Sequence, residues 1–198
     1  MTSALLIIDV QNDFTEGGAL AVTGGAEVAA RISDYLARSA ESYDLILASR
    51  DWHDADNDNG GHFAVDAPPD FVSSWPVHCV AGTAGAEYHP ALDTAAVTAH
   101  IRKGQGVPAY SIFEGVSADG RSVREVLAEH RVVRVDVVGI ATDYCVRASA
   151  LDALAAGLRV RVFTDLVAGV APVSSAEALA ELVAAGAELT VAGERERQ

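Results

Sequence analysis

Three residues of reactive type follow predicted strands of this sequence, namely Asp9, Lys103 and Cys145. Cys145 lies in the segment GIATDYCV, in the first turn of a predicted helix, where unpaired backbone N–H groups and the helix dipole favour a thiolate. Asp9 can take the thiol proton and return it to a leaving group, while the charge of Lys103 holds thiolate and carboxylate in place. These residue types predict nucleophilic catalysis by a Cys, Asp and Lys triad.

Each of these residues, taken alone, also has a structural explanation. A lone cysteine is commonly a buried packing residue, an aspartate after a strand often belongs to a turn, and a lysine there is often solvated. Lys103 is nevertheless the single lysine among 14 basic residues, and lysine differs from arginine because burial can shift its pKa. The combination favours Cys145 as the nucleophile, whereas Cys79 is predicted to be a buried small apolar residue.

A second group of polar residues lies in a long loop that carries the segments RDWH, GGHF and WPVHC. Asp51 and His53 are two residues apart and can approach one ion, with further imidazoles from His62 and His78. Mixed nitrogen and oxygen ligation suits zinc, iron or manganese. The alternative is a set of unrelated polar loop residues, because His62 and His78 are too far apart in sequence for a fixed motif.

Three aromatic residues near these segments, Phe14, Trp75 and Tyr110, are candidates for a pocket that holds a flat neutral ring. Packing in the hydrophobic core explains them equally well. No GxGxxG or P-loop pattern follows the first predicted strand, so the sequence gives no support for a nucleotide site.

Short apolar runs alternate with amphipathic stretches, which is typical of βα units. Strands are predicted over residues 4–10, 44–49, 97–102, 132–140, 159–164 and 188–191. Helices are predicted over residues 24–43, 122–130, 142–157 and 174–186, and residues 50–90 form a long polar connection. Right-handed crossovers then give a three-layer α/β/α fold with a central, mostly parallel sheet. Ligands of such sheets bind beyond the carboxyl ends of the strands, where Asp9, Asp51, Lys103 and Cys145 should converge.

Composition narrows the classes of function that remain. The chain has 198 residues with 28 acidic and 14 basic side chains, a net charge of −14 that opposes binding to nucleic acid or to an anionic membrane. Two cysteines cannot form a disulfide framework, which favours a cytoplasmic protein, and no targeting or membrane-spanning segment is predicted. A small molecule is therefore the expected partner, and the sequence leaves homo-oligomer formation open.

The motifs DVQNDF, RDWH, WPVHCVAGT, YSIFEG and GIATDYCV, together with Lys103, follow one another in an order that resembles the nicotinamidase/pyrazinamidase family of isochorismatase-like cysteine hydrolases. The resemblance runs from residue 5 to about residue 170 and implies one Rossmann-like domain over residues 1–198. It implies that Asp9, Lys103 and Cys145 are the catalytic triad. The metal ligands that it implies are Asp51, His53 and His78, with His62 matching a ligand that some members have.

The same resemblance implies how substrate is held and changed. Phe14, Trp75, Tyr110, Ile140 and Ala141 fall at substrate-pocket positions, and the Ile140–Ala141 bond matches a cis peptide. The implied oxyanion hole consists of the backbone N–H groups of Ala141 and Cys145. The implied reaction is hydrolysis of nicotinamide, and of pyrazinamide, through a cysteine thioester, with the ring nitrogen on one zinc, iron or manganese ion, as a step of NAD salvage.

Two departures from the family pattern give specific expectations. The residues DADNDNGG separate RDWH from His62, which leaves the position of this fourth ligand open, and Ile112 replaces a small residue and is expected to narrow the pocket. Another amidase or isochorismatase-type hydrolase of the same fold, or an inactive metal-binding relative, are the alternatives. Retention of all three triad residue types argues against the inactive relative, and the Asp and His cluster favours a nicotinamidase.

Overall fold

A seven-stranded sheet forms the centre of the chain in the computed structural model, which describes residues 2–193. The strands are β1 (Ser3–Ile8), β2 (Leu45–Asp51), β3 (Ala99–Lys103), β4 (Val116–Ser117), β5 (Arg134–Ile140), β6 (Arg159–Ala168) and β7 (Glu188–Thr190). They are arranged in the order β4-β3-β2-β1-β5-β6-β7, and only the β3–β4 pair is antiparallel. The mostly parallel sheet is confirmed. Residues 1 and 194–198 of the predicted domain lie outside the described residues, and the single-domain assignment stays a prediction.

Four α-helices cover the two faces of this sheet: α1 (Gly25–Ser39), α2 (Val123–Glu129), α3 (Arg147–Ala155) and α4 (Pro172–Ala184). Successive residues of β1 point to opposite faces, so Leu5 and Ile7 pack with α1 while Leu6 and Ile8 pack with the other three helices. Every residue of β1 is buried, as expected for a central parallel strand. The predicted three-layer α/β/α architecture is confirmed. None of the helices within residues 2–193 is long and apolar enough to cross a membrane.

Several predicted boundaries were wrong for identifiable reasons. The strand predicted over 159–164 continues to Ala168, because a register shift between Val137 and Gly139 lets β6 remain paired with β5. The helix predicted to begin at residue 174 begins at Pro172, since proline suits the first turn of a helix. Strand β4 was missed because two residues carry no periodic pattern.

The helix predicted over 24–43 ends earlier, at Ser39, and a short 3₁₀ turn follows it. The predicted strand over 97–102 begins at Ala99 and ends one residue later, at Lys103. Lys103 and Asp51 are therefore the last residues of their strands rather than loop residues, and the ladder pairs them with each other. This pairing places an ammonium and a carboxylate at the carboxyl edge of the sheet.

Candidate active site and histidine cluster

The ends of β1, β2 and β3 bring three charged residues together under the carboxyl edge of the sheet. Asp9 follows β1 with a φ of 46°, a left-handed conformation that aspartate tolerates better than most residues. Lys103 Nζ lies 3.0 Å from Asp9 Oδ2 and forms a second ion pair with Asp51 Oδ1. All three side chains are buried, so these contacts are formed away from water.

Cys145 joins this group from beyond β5, the strand that pairs with β1 on the side away from β2. It lies in a π-helical turn over Thr142–Val146 that connects β5 to α3, and its Sγ is 3.8 Å from Lys103 Nζ. Single π-helical turns occur often at functional sites. We refer to Asp9, Lys103 and Cys145 as the triad; the structure brings all three together, as their positions at the ends of parallel strands suggested.

Burial governs the protonation of the triad. Burial raises the pKa of the Cys145 thiol well above its usual value, and the nearby Lys103 charge opposes this shift without overcoming it. This direction favours a neutral thiol over the thiolate expected at a helix start. Burial also raises the pKa of Asp9, against the opposing effect of Lys103.

Lys103 keeps its charge in the same environment. Burial disfavours the ammonium, but the carboxylates of Asp51 and Asp9 together raise the pKa of Lys103 well above its usual value. Burial acts to raise the pKa of Asp51, but the Lys103 charge and the interactions with His53 and His78 together lower it. Asp51 and Lys103 thus form a fixed charged pair, while Asp9 and Cys145 are the two groups between which a proton can be exchanged.

A cavity of about 310 Å³ opens above Cys145. Four of the five predicted pocket residues line it, namely Phe14, Trp75, Tyr110 and Ala141. Trp75 Nε1 donates a hydrogen bond to Tyr110 Oη at 3.0 Å, which fixes the two rings relative to each other. The Ile140–Ala141 peptide bond is cis, as the resemblance implied.

Two isoleucines of the predicted pocket lie elsewhere. The Ile140 side chain packs into the hydrophobic cluster beneath α1, so it does not line the cavity. Ile112 is fully buried in the cluster on the opposite face of the sheet. The expected narrowing of the pocket by Ile112 was therefore wrong, because its side chain points into the core.

Sequence reasoning missed part of the cavity wall. Tyr144 stacks against Tyr110 with ring centroids 6.3 Å apart and meets Trp75 edge to face at 5.1 Å. Its position next to Cys145 was a signal that could have identified it. Phe71 and Val170 also line the cavity but come from distant segments, for which the sequence offered no signal.

Three buried histidines, His53, His62 and His78, form what we call the histidine cluster. One nitrogen of each ring lies within 4.8 Å of the others. Nδ1 of His53 is 2.8 Å from the Gly104 carbonyl oxygen, and Nδ1 of His78 is 2.7 Å from that of Pro76. A carbonyl oxygen can only accept, so both Nδ1 atoms donate, and the Nε2 atoms are the ring nitrogens that lie near Asp51.

The chemistry of the cluster fits a divalent transition metal. His53 Nε2 and both ring nitrogens of His62 are buried without a hydrogen-bond partner, which is costly unless an ion or water satisfies them. Burial lowers the pKa of His62 to about 3 and also lowers that of His78, so these rings remain neutral. Neutral imidazoles held by carbonyl groups through the other nitrogen are typical metal ligands.

Asp51 lies between the triad and the histidine cluster. Its Oδ1 pairs with Lys103, while its Oδ2 lies 3.7 Å from His53 Nε2 and 3.9 Å from His78 Nε2. Gln11 holds this residue from both sides, because Gln11 Oε1 accepts from the Asp51 backbone N–H and Gln11 Nε2 donates to the Asp51 carbonyl oxygen. One carboxylate therefore contacts the triad and borders the histidine cluster.

The inserted residues before His62 form a compact turn. Asn59 is fully buried, and its Oδ1 accepts hydrogen bonds from the backbone N–H groups of Asp54 and Gly106 at 2.8 and 3.1 Å. This turn returns the chain to the site, so that the ring centroids of His62 and His53 lie 4.7 Å apart. The insertion thus leaves His62 beside the other two histidines, which the sequence could not determine.

Comparisons with known proteins agree with this architecture. Residues 3–194 match the family model described as the isochorismatase domain. The chain is 52% identical over 186 residues to the nicotinamidase/pyrazinamidase of Mycobacterium tuberculosis, covering 94% of this chain and 97% of that protein. It is 40% identical over 206 residues to the nicotinamidase of Escherichia coli, covering 94% of this chain and 93% of that protein.

A solved structure is similar along nearly the whole chain. The pyrazinamidase of Pyrococcus horikoshii, determined in complex with zinc, superposes with a TM-score of 0.82 at 37% sequence identity. The match covers 96% of this chain and 99% of that one. The fold that carries the triad and the histidine cluster is therefore shared with a pyrazinamidase.

Proposed function

The chain belongs to the isochorismatase family, and we propose that it is a nicotinamidase that hydrolyses nicotinamide, and also pyrazinamide, to the carboxylate and ammonia. The observation that carries this proposal is the position of the Cys145 thiol. It lines an aromatic cavity while it also contacts a buried lysine, beside three buried imidazoles. An uncharged aromatic carboxamide is the class of substrate that such a cavity suits.

We propose that Cys145 is the nucleophile and Asp9 the general base and acid. The Sγ proton passes to Asp9 as Sγ forms a bond to the carboxamide carbon. The backbone N–H groups of Ala141 and Cys145 are the proposed donors to the oxyanion. The C–N bond then breaks while Asp9 returns the proton to nitrogen, which leaves as ammonia.

In the second half of the reaction, water replaces the thiol as the nucleophile and Asp9 keeps its two roles. Asp9 takes a proton from water as the water oxygen attacks the thioester carbon. The C–S bond breaks, the proton returns to Sγ, and the acid product leaves. Lys103 stays protonated throughout. Its charge stabilises the anionic forms of Cys145 and Asp9, because Nζ lies 3.8 Å from Cys145 Sγ and 3.0 Å from Asp9 Oδ2.

We propose that the histidine cluster and Asp51 hold one divalent zinc, iron or manganese ion, with His62 as the fourth ligand. The unpartnered buried nitrogens of His53 and His62 and the lowered pKa of His62 support this assignment. A bound ion of this kind would supply an electrophilic partner for the ring nitrogen of the substrate. The aromatic wall of Phe14, Trp75 and Tyr110 would orient the flat ring over Cys145.

The cellular context is also a proposal. Hydrolysis of nicotinamide would place the protein in NAD salvage, and the two free cysteines favour a cytoplasmic location. The net charge of −14 argues against nucleic acid and anionic membranes as partners.

Ammonia release by the purified, metal-loaded protein tests the function. We expect ammonia and the matching carboxylate from nicotinamide and from pyrazinamide. Benzamide, which has the same carboxamide but no ring nitrogen, should react far more slowly. Absence of ammonia from both heteroaromatic amides would contradict the proposed function.

A further inference from the structure

Ser49 is a buried polar residue that touches the triad and that the mechanism above does not use. It lies in β2, and its Oγ donates a hydrogen bond to Asp9 Oδ1 at 2.7 Å. We propose that Ser49 is a positioning residue, whose hydroxyl group fixes the Asp9 carboxyl so that Oδ2 serves as the proton-transfer atom. This inference rests on the proposed cysteine hydrolase function.

The two oxygens of Asp9 have different partners. Oδ1 accepts from the Ser49 hydroxyl, whereas Oδ2 lies 3.0 Å from Lys103 Nζ, and no hydroxyl or backbone N–H group within residues 2–193 donates to it. The carboxyl also lies close enough to Cys145 to raise the pKa of that thiol. Oδ2 is therefore the Asp9 oxygen still able to receive the Sγ proton.

A carboxyl group needs such a partner to keep one orientation. Rotation about its terminal bond is broad and roughly two-fold, so an aspartate held only by an ammonium could exchange its oxygens or tilt away. The Ser49 hydroxyl can donate to Oδ1 both when Asp9 is ionised and when Oδ2 carries a proton, because Oδ1 remains an acceptor in both states. The same hydrogen bond therefore persists through both proton transfers.

The position of Ser49 in the sheet makes this contact rigid. Ser49 and Asp51 are two residues apart on one strand, so both side chains project to the same side of the sheet. The ladder that pairs β2 with β3 sets Ser49 opposite Ile101 and Asp51 opposite Lys103. Backbone pairing thus fixes the hydroxyl relative to the lysine that binds the other oxygen of Asp9.

Kinetics of Ser49→Ala and Ser49→Thr test the proposal, with metal content and circular dichroism matched to wild type. We expect Ser49→Ala to lower kcat at least about tenfold with KM changed less than about twofold, since substrate contacts are untouched. Ser49→Thr, which keeps the hydroxyl, should stay within about threefold of wild type. Ser3→Ala removes another buried serine hydroxyl, at the opposite end of β1, and should leave kcat unchanged.

Two results would overturn the role of Ser49. One is a Ser49→Ala enzyme that keeps its kcat within about twofold of wild type, and the other is a Ser49→Thr enzyme that loses as much as Ser49→Ala. If Ser49→Ala fails to fold, Ser49→Thr and Ser49→Val repeat the comparison at nearly constant volume. Retention of kcat by the valine variant would then overturn the proposal.

A second readout separates this inference from the proposed function. If wild type releases no ammonia from nicotinamide, the proposed function fails, and the alkylation rate of Cys145 by iodoacetamide still reports on Asp9 as its base. Slower alkylation of Ser49→Ala than of Ser49→Thr supports the positioning role. Equal rates in both variants contradict it.

Discussion

The triad and the histidine cluster contact the same carboxylate, yet they are built on different kinds of structure. The triad lies at the ends of β1 and β3, which both pair with β2, and on the turn after β5, so backbone pairing fixes its geometry. The histidine cluster lies in the long connection between β2 and β3, where side-chain hydrogen bonds such as those of Asn59 fix the path of the chain. We therefore expect triad substitutions to damage chemistry at constant metal content, and cluster substitutions to weaken metal binding first.

The largest effect should come from Cys145. Cys145→Ala removes the thiol at the cavity floor and should lower ammonia release by at least about a thousandfold, while metal content stays at the wild-type level. Cys79→Ala is the matched control, because Cys79 is also buried and does not line the cavity. It should retain most activity; loss of activity in Cys79→Ala with Cys145→Ala still active would reverse the assignment.

Lys103→Arg should cost at least about a hundredfold in kcat, or about 2.7 kcal/mol of barrier. Arginine keeps the positive charge but spreads it over a planar group with donors in a fixed fork, which does not fit between Asp9, Asp51 and Cys145. Displacement of the reacting groups by about 1 Å is enough for such a loss. The measurement is the rate of nicotinamide hydrolysis; an arginine variant within a few-fold of wild type would show that only diffuse charge is needed.

The next largest effect is the loss of bound metal expected from a substitution in the histidine cluster. Wild type should hold about one transition-metal ion per chain, since this is the one group of His, Cys, Asp and Glu within residues 2–193 arranged for a metal. His53→Ala should reduce the metal content measured by elemental analysis, whereas Cys145→Ala should not. Equal metal content in His53→Ala and wild type would contradict the metal assignment.

Asn59→Ala should have a smaller effect on the same property. Removal of its side chain frees the turn before His62, and loss of a supporting residue of this kind typically weakens metal affinity about tenfold. Asp56→Ala removes an exposed side chain from the same turn and is the control. Titration with a chelator measures both; equal affinities in the two variants would mean that the Asn59 contacts do not hold His62.

The smallest expected effect is on stability in acid. Burial lowers the pKa of His62 from its ordinary 6.5 to about 3, so between these values the unfolded chain binds a proton that the folded chain does not. The free energy of unfolding of chelator-treated protein should therefore fall as the pH drops below about 6.5. His62→Leu should make this dependence shallower in urea denaturation, and an unchanged slope would contradict a neutral buried His62.

The same contrast explains what the sequence could predict. Asp9, Lys103 and Cys145 were identifiable because each follows an apolar run, and the ends of parallel strands must meet at one edge. His62 is brought beside His53 by the turn that the buried Asn59 holds. The residues of this turn carry no periodic sequence pattern from which its path could be predicted.

Features that depend on tertiary packing were beyond the sequence. The extension of β6 to Ala168 needs the register shift in its partner strand, and β4 is a strand only because it pairs with β3. Ile112 was assigned to the cavity because a motif carries no information on which way one side chain points. Phe71 was missed because it reaches the cavity from the tip of a long loop.

The most direct test of the account is to trap the covalent intermediate. Metal-loaded wild type is mixed with nicotinamide, quenched with acid during turnover, and digested for peptide mass analysis. We expect one nicotinoyl group on the peptide that contains Cys145, none on the peptide that contains Cys79, and no adduct in Cys145→Ala. A nicotinoyl group on Cys79, or undiminished ammonia release by Cys145→Ala, would contradict the assignment of Cys145 as the nucleophile.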